Sequence, residues 1–438
     1  MVAAAVAAVG VADVRRHMSE APALSDRGLQ STTLANGIRV VTDRMPLARS
    51  VSSGIWVKIG GRDEDESLAG ASHFLEHLLF KGTEARSARS IAEDVESVGG
   101  EMNAHTSREY TAFYTRLPDH AWRMGVEILG DILAAPAFRA HEVEAERQVI
   151  LEEILMSLDT PDDVVHQQLA EAMFPGHPLG REVLGSADTV TDMSRDQIRS
   201  FFGAHYRPAN LVVVAAGNLE HDEFVASVER TLGLAAGGVE STRTPPPIEV
   251  ESLRVVDKPI EQVHLALGWR GVGFDHDDRY ALGVANQILG GGMSSRLFQE
   301  IREERGLVYT VYSYAASYTD SGAMTVYAGT GAKRVAELLE VLDAELDRFV
   351  AGGVTERELE IAKGYLTGAT VLGLEDSGGR MSRVGRTLMH RDDVLSIDEQ
   401  LDTLRSVTAA DVQRVAAKVL SHPRTTSAVG PVNESVFA

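Results

Sequence analysis

The chain has 438 residues, 44% of them apolar and 24% charged, which is enough for two domains and a large core. It contains no cysteine, so disulfides, thiol catalysis and cysteine-ligated metal are excluded, and any metal centre has to be built from His, Asp and Glu. A formal charge of −22 argues against general binding to nucleic acid or an anionic membrane and is compatible with attracting basic peptides.

Residues 1–12 are rich in Ala and Val, with no Lys or Arg before them and Arg15 and Arg16 after, the reverse of a secretory signal. Residues 1–28 therefore read as a flexible lead-in. No apolar run reaches the roughly 18 residues that a membrane span needs. With zero cysteines and Ala/Gly/Val/Arg-rich usage, a bacterial cytoplasmic protein is expected.

The pattern predicts a strand over 34–42, entered through the Asn36-Gly37 turn, and an alternating strand over 51–59. Next comes Ala71-Ser72-His73-Phe74-Leu75-Glu76-His77-Leu78-Leu79-Phe80-Lys81-Gly82-Thr83, which reads as one buried helix starting near Ser72 and stopped by Gly82. On a 3.6-residue period His73, Glu76 and His77 share a face. Two imidazoles and a carboxylate converging among Phe74, Leu75, Leu78 and Leu79 are costly without a partner, and a zinc ion supplies one. The imidazoles bind the ion, and the carboxylate handles the proton of its water. This H-x-x-E-H order is the inverzincin signature.

A helix over 90–98 ends at Gly99-Gly100, and 101–115 reads as two strands around a turn. Helices follow over 119–133 and 141–158. The second carries Glu142, Glu144, Glu146, Glu152 and Glu153, of which Glu146 and Glu153 are seven apart and share a face with Val149 and Ile150 between them. Carboxylates on an inward face suggest a metal ligand or its supporting partner; on spacing alone Glu152 competes with Glu153. A helix over 194–206, a buried strand over 211–216 and a helix over 223–232 lead to residues 233–247, whose Gly and Pro content marks a linker.

The second half reads as strand 261–269, helix 278–289, helix 296–303, strands 308–317 and 322–327, and long helices 334–349 and 356–371. Sliding the halves by 214, the difference between Glu360 and Glu146, aligns most elements. Under that shift His73 meets Gln287, His77 meets Gly291 and Glu153 meets Thr367. The second copy keeps the scaffold without the ligands, so one metal site per chain is expected.

His73-x-x-Glu76-His77 followed by Leu-x-Phe-Lys-Gly-Thr resembles the pitrilysin and mitochondrial processing peptidase-like family of zinc peptidases, in its short-chain bacterial branch. The resemblance runs from about Leu34 to Val429. It implies an α+β fold: two homologous α/β-sandwich halves, each a mostly antiparallel sheet with helices packed on it, closing as a clamshell. It also implies a catalytic, zinc-binding domain over 29–232, the linker 233–247, and a homologous substrate-binding domain over 248–438. The third ligand falls on Glu153 and the supporting acid on Glu146. Asn103 and Ala104 correspond to an edge strand to which the substrate backbone adds, and Arg302 and Tyr309 to residues that reach the bound peptide from the second half. The implied activity is zinc-dependent endopeptidase with Glu76 as general base, acting on peptides or short unfolded polypeptides in an enclosed chamber, as a homodimer. The alternative is a non-catalytic scaffold or processing-complex subunit of the same fold. Gly290-Gly291-Gly292-Met293 is shorter than the glycine-rich loop of the non-catalytic processing subunit. Elsewhere His105, His141, His166 and His177 read as surface or core residues, with His105 nearest the site.

Overall fold

The computed structural model describes residues 29–238 and 241–437; the lead-in expected over 1–28 lies outside them. Two sheets organise the described residues. The first orders β1 (Leu29–Thr33), β2 (Arg39–Arg44), β6 (Leu211–Gly217), β3 (Ser50–Val57), β5 (Thr111–Pro118) and β4 (Glu101–Thr106). The second orders β7 (Leu253–Asp257), β11 (Thr425–Gly430), β8 (Gln262–Arg270), β10 (Gly322–Gly331) and β9 (Thr310–Ser317). Only β2–β6 and β7–β11 pair in parallel. Without β1 the two orders are the same, and the 214-residue shift carries β2 onto β7, β3 onto β8 and β6 onto β11. The fold is α+β with two like halves, as expected.

Each sheet buries one face under helices of its own half. In the first these are α1 (Ala71–Leu79), α2 (Ala88–Ser97), α3 (Trp122–Ala134) and α4 (Ala140–Asp159), followed after α5 (Pro161–Met173) by α6 (Ala187–Asp192), α7 (Arg195–His205) and α8 (His221–Thr231). Phe74, Leu78, Val126, Leu129 and Ile150 join Ile55, Val57 and Phe113 in one core. The second half repeats this with α9 (Arg279–Leu289), α10 (Val335–Gly352) and α11 (Glu356–Gly373) and, after α12 (Ser377–His390), α13 (Ile397–Ser406) and α14 (Ala409–Leu420).

The opposite sheet faces are covered by exchange. From the first half, α5 lays Val164, Val165, Leu169 and Met173 on Ala266, Ala323, Tyr327 and Val429 of the second sheet. From the second half, α12 lays Met381, Val384, Leu388 and Met389 on Val41, Trp56, Val212 and Val214 of the first. Neither helix was among the elements predicted from sequence.

Several expectations need correction. The strand predicted over 34–42 starts at Arg39; residues 34–37 form the turn between β1 and β2, where Gly37 takes φ +97°. The helix predicted over 296–303 winds as a π-helix over Phe298–Glu304. Val149 does not face inward with Ile150: it is exposed, while Ile150 is fully buried. The segment 233–247 is strapped down where it is described. Arg243 reaches both Asp63 carboxylate oxygens at 2.9 Å, and the Thr244 carbonyl accepts from Arg62 Nη2 at 2.6 Å and lies 3.0 Å from His177 Nε2.

Candidate metal centre

The site is assembled from α1, α4 and the edge strand β4. Helix α1 starts beside Ser72, as the sequence predicts, although Ser72 is not its cap. Its N-cap is Gly70 at φ +97°, and the buried Glu64 carboxylate accepts the Gly70 and Ser72 N–H groups at 2.8 and 2.7 Å. A carboxylate at that end also matches the helix dipole. The helix then buries Phe74, Leu75, Leu78 and Leu79, and turns His73 and His77 to one side. Their rings lie edge to face, 4.7 Å apart.

From α4, Glu153 Oε2 comes within 3.8 Å of His73 Nε2 and 3.5 Å of His77 Nε2, and a donor atom from each residue lies within 4.8 Å of the others. Among the described residues this is the one such group. Glu152 is exposed. Three donors at this spacing fit a tetrahedral zinc ion with one position left open, since zinc–nitrogen bonds of about 2 Å place neighbouring ligand atoms roughly 3.3 Å apart. Burial, with His77 beside it, pushes His73 down to about 4, so its imidazole is neutral near pH 7, the form that binds a metal.

Glu146 is buried one side-chain layer behind. Its Oε2 lies 3.1 Å from His77 Nδ1 and its Oε1 2.7 Å from Lys81 Nζ. That contact puts the His77 proton on Nδ1 and leaves Nε2 free toward Glu153. Glu76 also stands near the group. Burial raises its carboxyl pKa against the hydrogen bond that Thr106 Oγ1–H donates to Oε2 at 2.6 Å. Thr106, Lys81 and Glu64 carry no role in the sequence reading. Lys81 lies in the segment 71–83 and Thr106 in the strands predicted over 101–115, where neither side chain signalled its target, and Glu64 gave no signal.

Asn103 and Ala104 lie on β4, the outer strand of the first sheet. The Asn103 side-chain oxygen accepts the Ala104 N–H at 2.8 Å, which an incoming strand would have to displace. Arg302 and Tyr309 are brought together, with the Arg302 guanidinium 5.2 Å from the Tyr309 ring centre. No hydrogen bond, ion pair or ring contact among the described residues joins either to His73, His77 or Glu153, and Tyr309 is 76% exposed. A cleft of about 550 Å³ opens between the halves, lined by Glu153, Arg108 and His166 of the first half and by Tyr314, Tyr318 and Thr325 of the second. His166 sits between the Tyr312 and Tyr314 hydroxyls at 3.2 Å each.

Comparison with known proteins agrees with this geometry. Residues 39–187 match the family described as Insulinase (Peptidase family M16), and residues 192–366 match the Peptidase M16 inactive domain. An uncharacterized zinc protease of Streptomyces coelicolor is 42% identical over 415 residues, spanning 93% of this chain and 90% of that one. The chain belongs to peptidase family M16. This is the family that the pitrilysin-type motif pointed to. The M16 fold is matched by the crystal structure of a protease from Helicobacter pylori, with TM-score 0.88 and 23% identity over 92% of this chain and 99% of that one. A structure from Pseudomonas fluorescens described as a peptidase M16 inactive domain gives TM-score 0.87 and 20% identity over 92% and 98%. In the present M16 chain the matched first segment holds His73, Glu76, His77 and Glu153, and the matched second segment holds Arg302 and Tyr309. Among the described residues, no helix is long and apolar enough to cross a membrane.

Proposed function

We propose that the chain is a zinc-dependent endopeptidase that cleaves peptides or short unfolded polypeptides in the cleft between its halves. The observation that carries this is the convergence of His73, His77 and Glu153 donor atoms beside a buried, oriented Glu76. Zinc, when bound by those three residues, supplies Lewis acidity to the peptide carbonyl and lowers the pKa of the attacking water toward about 7.

The chain's own residues do the rest. Thr106 fixes one oxygen of Glu76, so the other takes the proton from the attacking water and returns it to the departing amine. Glu146, held by Lys81, orients His77. A peptide backbone adds to the free edge of β4 at Asn103 and Ala104. Arg302 and Tyr309 approach the scissile region when the chamber closes and stabilise carbonyl charge. In this reading residues 29–232 form the catalytic domain, 233–247 the connection and 248–438 the substrate-binding domain. Two copies enclose the chamber, and the enzyme works in a bacterial cytoplasm.

The test is Glu76→Gln. We expect zinc to stay at one per chain by elemental analysis, while hydrolysis of a fluorogenic peptide falls by about 10² to 10⁴. Substantial remaining turnover would remove Glu76 from the role of base. Wild-type protein that binds zinc and cleaves nothing, with or without chelator, would favour the non-catalytic scaffold.

A further inference from the structure

The cleft is unevenly charged. The lobe beside Glu153 sets Glu153, Asp163 and Glu182 against Arg108 and His166. A second lobe of about 560 Å³ shares Arg108, Ala316 and Tyr318 with it and passes the end of β4 at Thr106. Its charged lining is Arg108, Arg279, Arg386, His390 and a single acid, Glu109. That acid is already engaged. It is 2% exposed and accepts from Arg62 Nη1 at 2.7 Å and the Thr319 N–H at 2.8 Å, with His390 Nδ1 at 3.3 Å.

The basic groups are less committed. Arg108 donates to the Leu179 carbonyl at 2.9 Å and reaches Glu182 only at 3.4 Å. Arg279 rests on the Phe274 ring at 4.1 Å and on Tyr280, and Arg386 is exposed toward His105 and Tyr110. No carboxylate of the described residues pairs with either, in a chain that has 64 acids to 42 lysines and arginines. The lobe is also tied to the metal centre. Rings step from His105 on β4 to Tyr110 at 5.5 Å, to His390 at 6.1 Å and to Phe274 at 4.4 Å, where Arg279 lies. Next to His105, Thr106 holds Glu76.

We infer that this lobe is a carboxylate-binding subsite of the peptide cleft, in which Arg279 and Arg386 receive an acidic group of the bound peptide. The inference rests on the peptidase reading. A peptide laid along β4 and continuing past Thr106 runs into the lobe, where the Arg279 guanidinium, held by ring stacking, and the exposed Arg386 suit a planar carboxylate. The group comes either from an Asp or Glu side chain or from the peptide's free C-terminus. The acidic lobe on the Glu153 side takes neither, so charge sets which way a peptide lies in the cleft.

The test reads binding without turnover. Full-length protein carrying Glu76→Gln is titrated with a fluorescein-labelled peptide in four forms: free or amidated at the C-terminus, each with one Glu or Gln near that end. Loss of the recognised carboxylate should weaken binding about tenfold, and which replacement does so identifies its source. The difference should vanish when Arg279→Gln and Arg386→Gln are combined. Equal affinity for all four forms overturns the subsite, and the parent protein alone decides this if the double variant does not fold. The same four peptides offered to the protein with Glu76 intact test the underlying reading. Cleavage with no charge preference leaves a peptidase without this subsite, whereas no cleavage of any form removes the peptidase reading itself.

Discussion

Glu146 divides its two oxygens between the His77 imidazole and the Lys81 ammonium, and in doing so decides which His77 nitrogen is offered to a metal. Glu146→Gln keeps the shape and weakens that control. We expect zinc affinity, measured by competition with a chromophoric chelator, to fall by about 10- to 100-fold. Glu153→Gln replaces the anionic donor by a weak, neutral amide oxygen and should leave little zinc at the same concentrations, while Glu152→Gln, on the exposed side of α4, should leave zinc unchanged. Retention of zinc by the Glu153 variant would move the ligand elsewhere. At this scale the sequence was informative where chemistry repeats with helical period. His73, Glu76 and His77 declared a shared face, whereas spacing left Glu152 and Glu153 in competition and only the family resemblance pointed to Glu153. It was silent on Thr106, whose target Glu76 lies on a different element 30 residues away, and on Glu64, which reaches the Gly70 and Ser72 N–H groups from a loop where no periodic pattern marks its partner.

Among the elements, α1 carries the imidazoles and owes its N-terminus to Glu64 rather than to a residue of its own first turn. Glu64→Ala leaves two N–H groups at a buried helix end without a partner, and should cost about 1–3 kcal/mol in urea unfolding. A shifted midpoint with unchanged slope would locate the loss in the native state. Helix α12 meets the first sheet through an equally specific contact. A Cβ at Gly385 would stand 2.2 Å from Cε2 of the buried Trp56 ring. Gly385→Ala should therefore destabilise by about 1–3 kcal/mol, although alanine is the better helix former. The apolar spacing of Val164, Val165, Leu169 and Met173 in α5 says that a face is buried. It does not say against which sheet, and that is why the exchange escaped the sequence reading.

Across the whole molecule the halves are locked at one corner by Arg62, Glu109, Arg243, Asp320 and His390. Burial alone would raise the Glu109 carboxyl, but His390, Arg243 and Arg62 together hold it at about 2. A carboxyl depressed from its ordinary 4.5 adds stability that is complete above that pH and drains away as the pH falls toward 2. We expect the urea midpoint to drop across that window and Glu109→Gln to flatten the drop; an equally steep fall in the variant would place the acid sensitivity elsewhere. The repeat itself was legible, since the 214-residue shift read from Glu146 and Glu360 also aligns strands that the sequence did not announce, such as β7 and β11. Composition marked 233–247 as a connection but could not reveal that Arg243 and Thr244 fasten it to the first half.

The exchange of α5 and α12 has a consequence during synthesis. When β6 leaves the ribosome all six strands of the first sheet exist, yet Val41, Trp56, Val212 and Val214 still lack the helix that covers them. That helix lies at residues 377–390, and at ordinary elongation rates it follows on the order of ten seconds later. For that interval α5 likewise waits for a sheet not yet made. Stalled chains ending near residue 240 should therefore bind a hydrophobic dye and a holdase chaperone, and should lose both only once the second half is released through β11 at Thr425–Gly430. The amino-terminal half cannot finish folding until the carboxyl-terminal half has been translated.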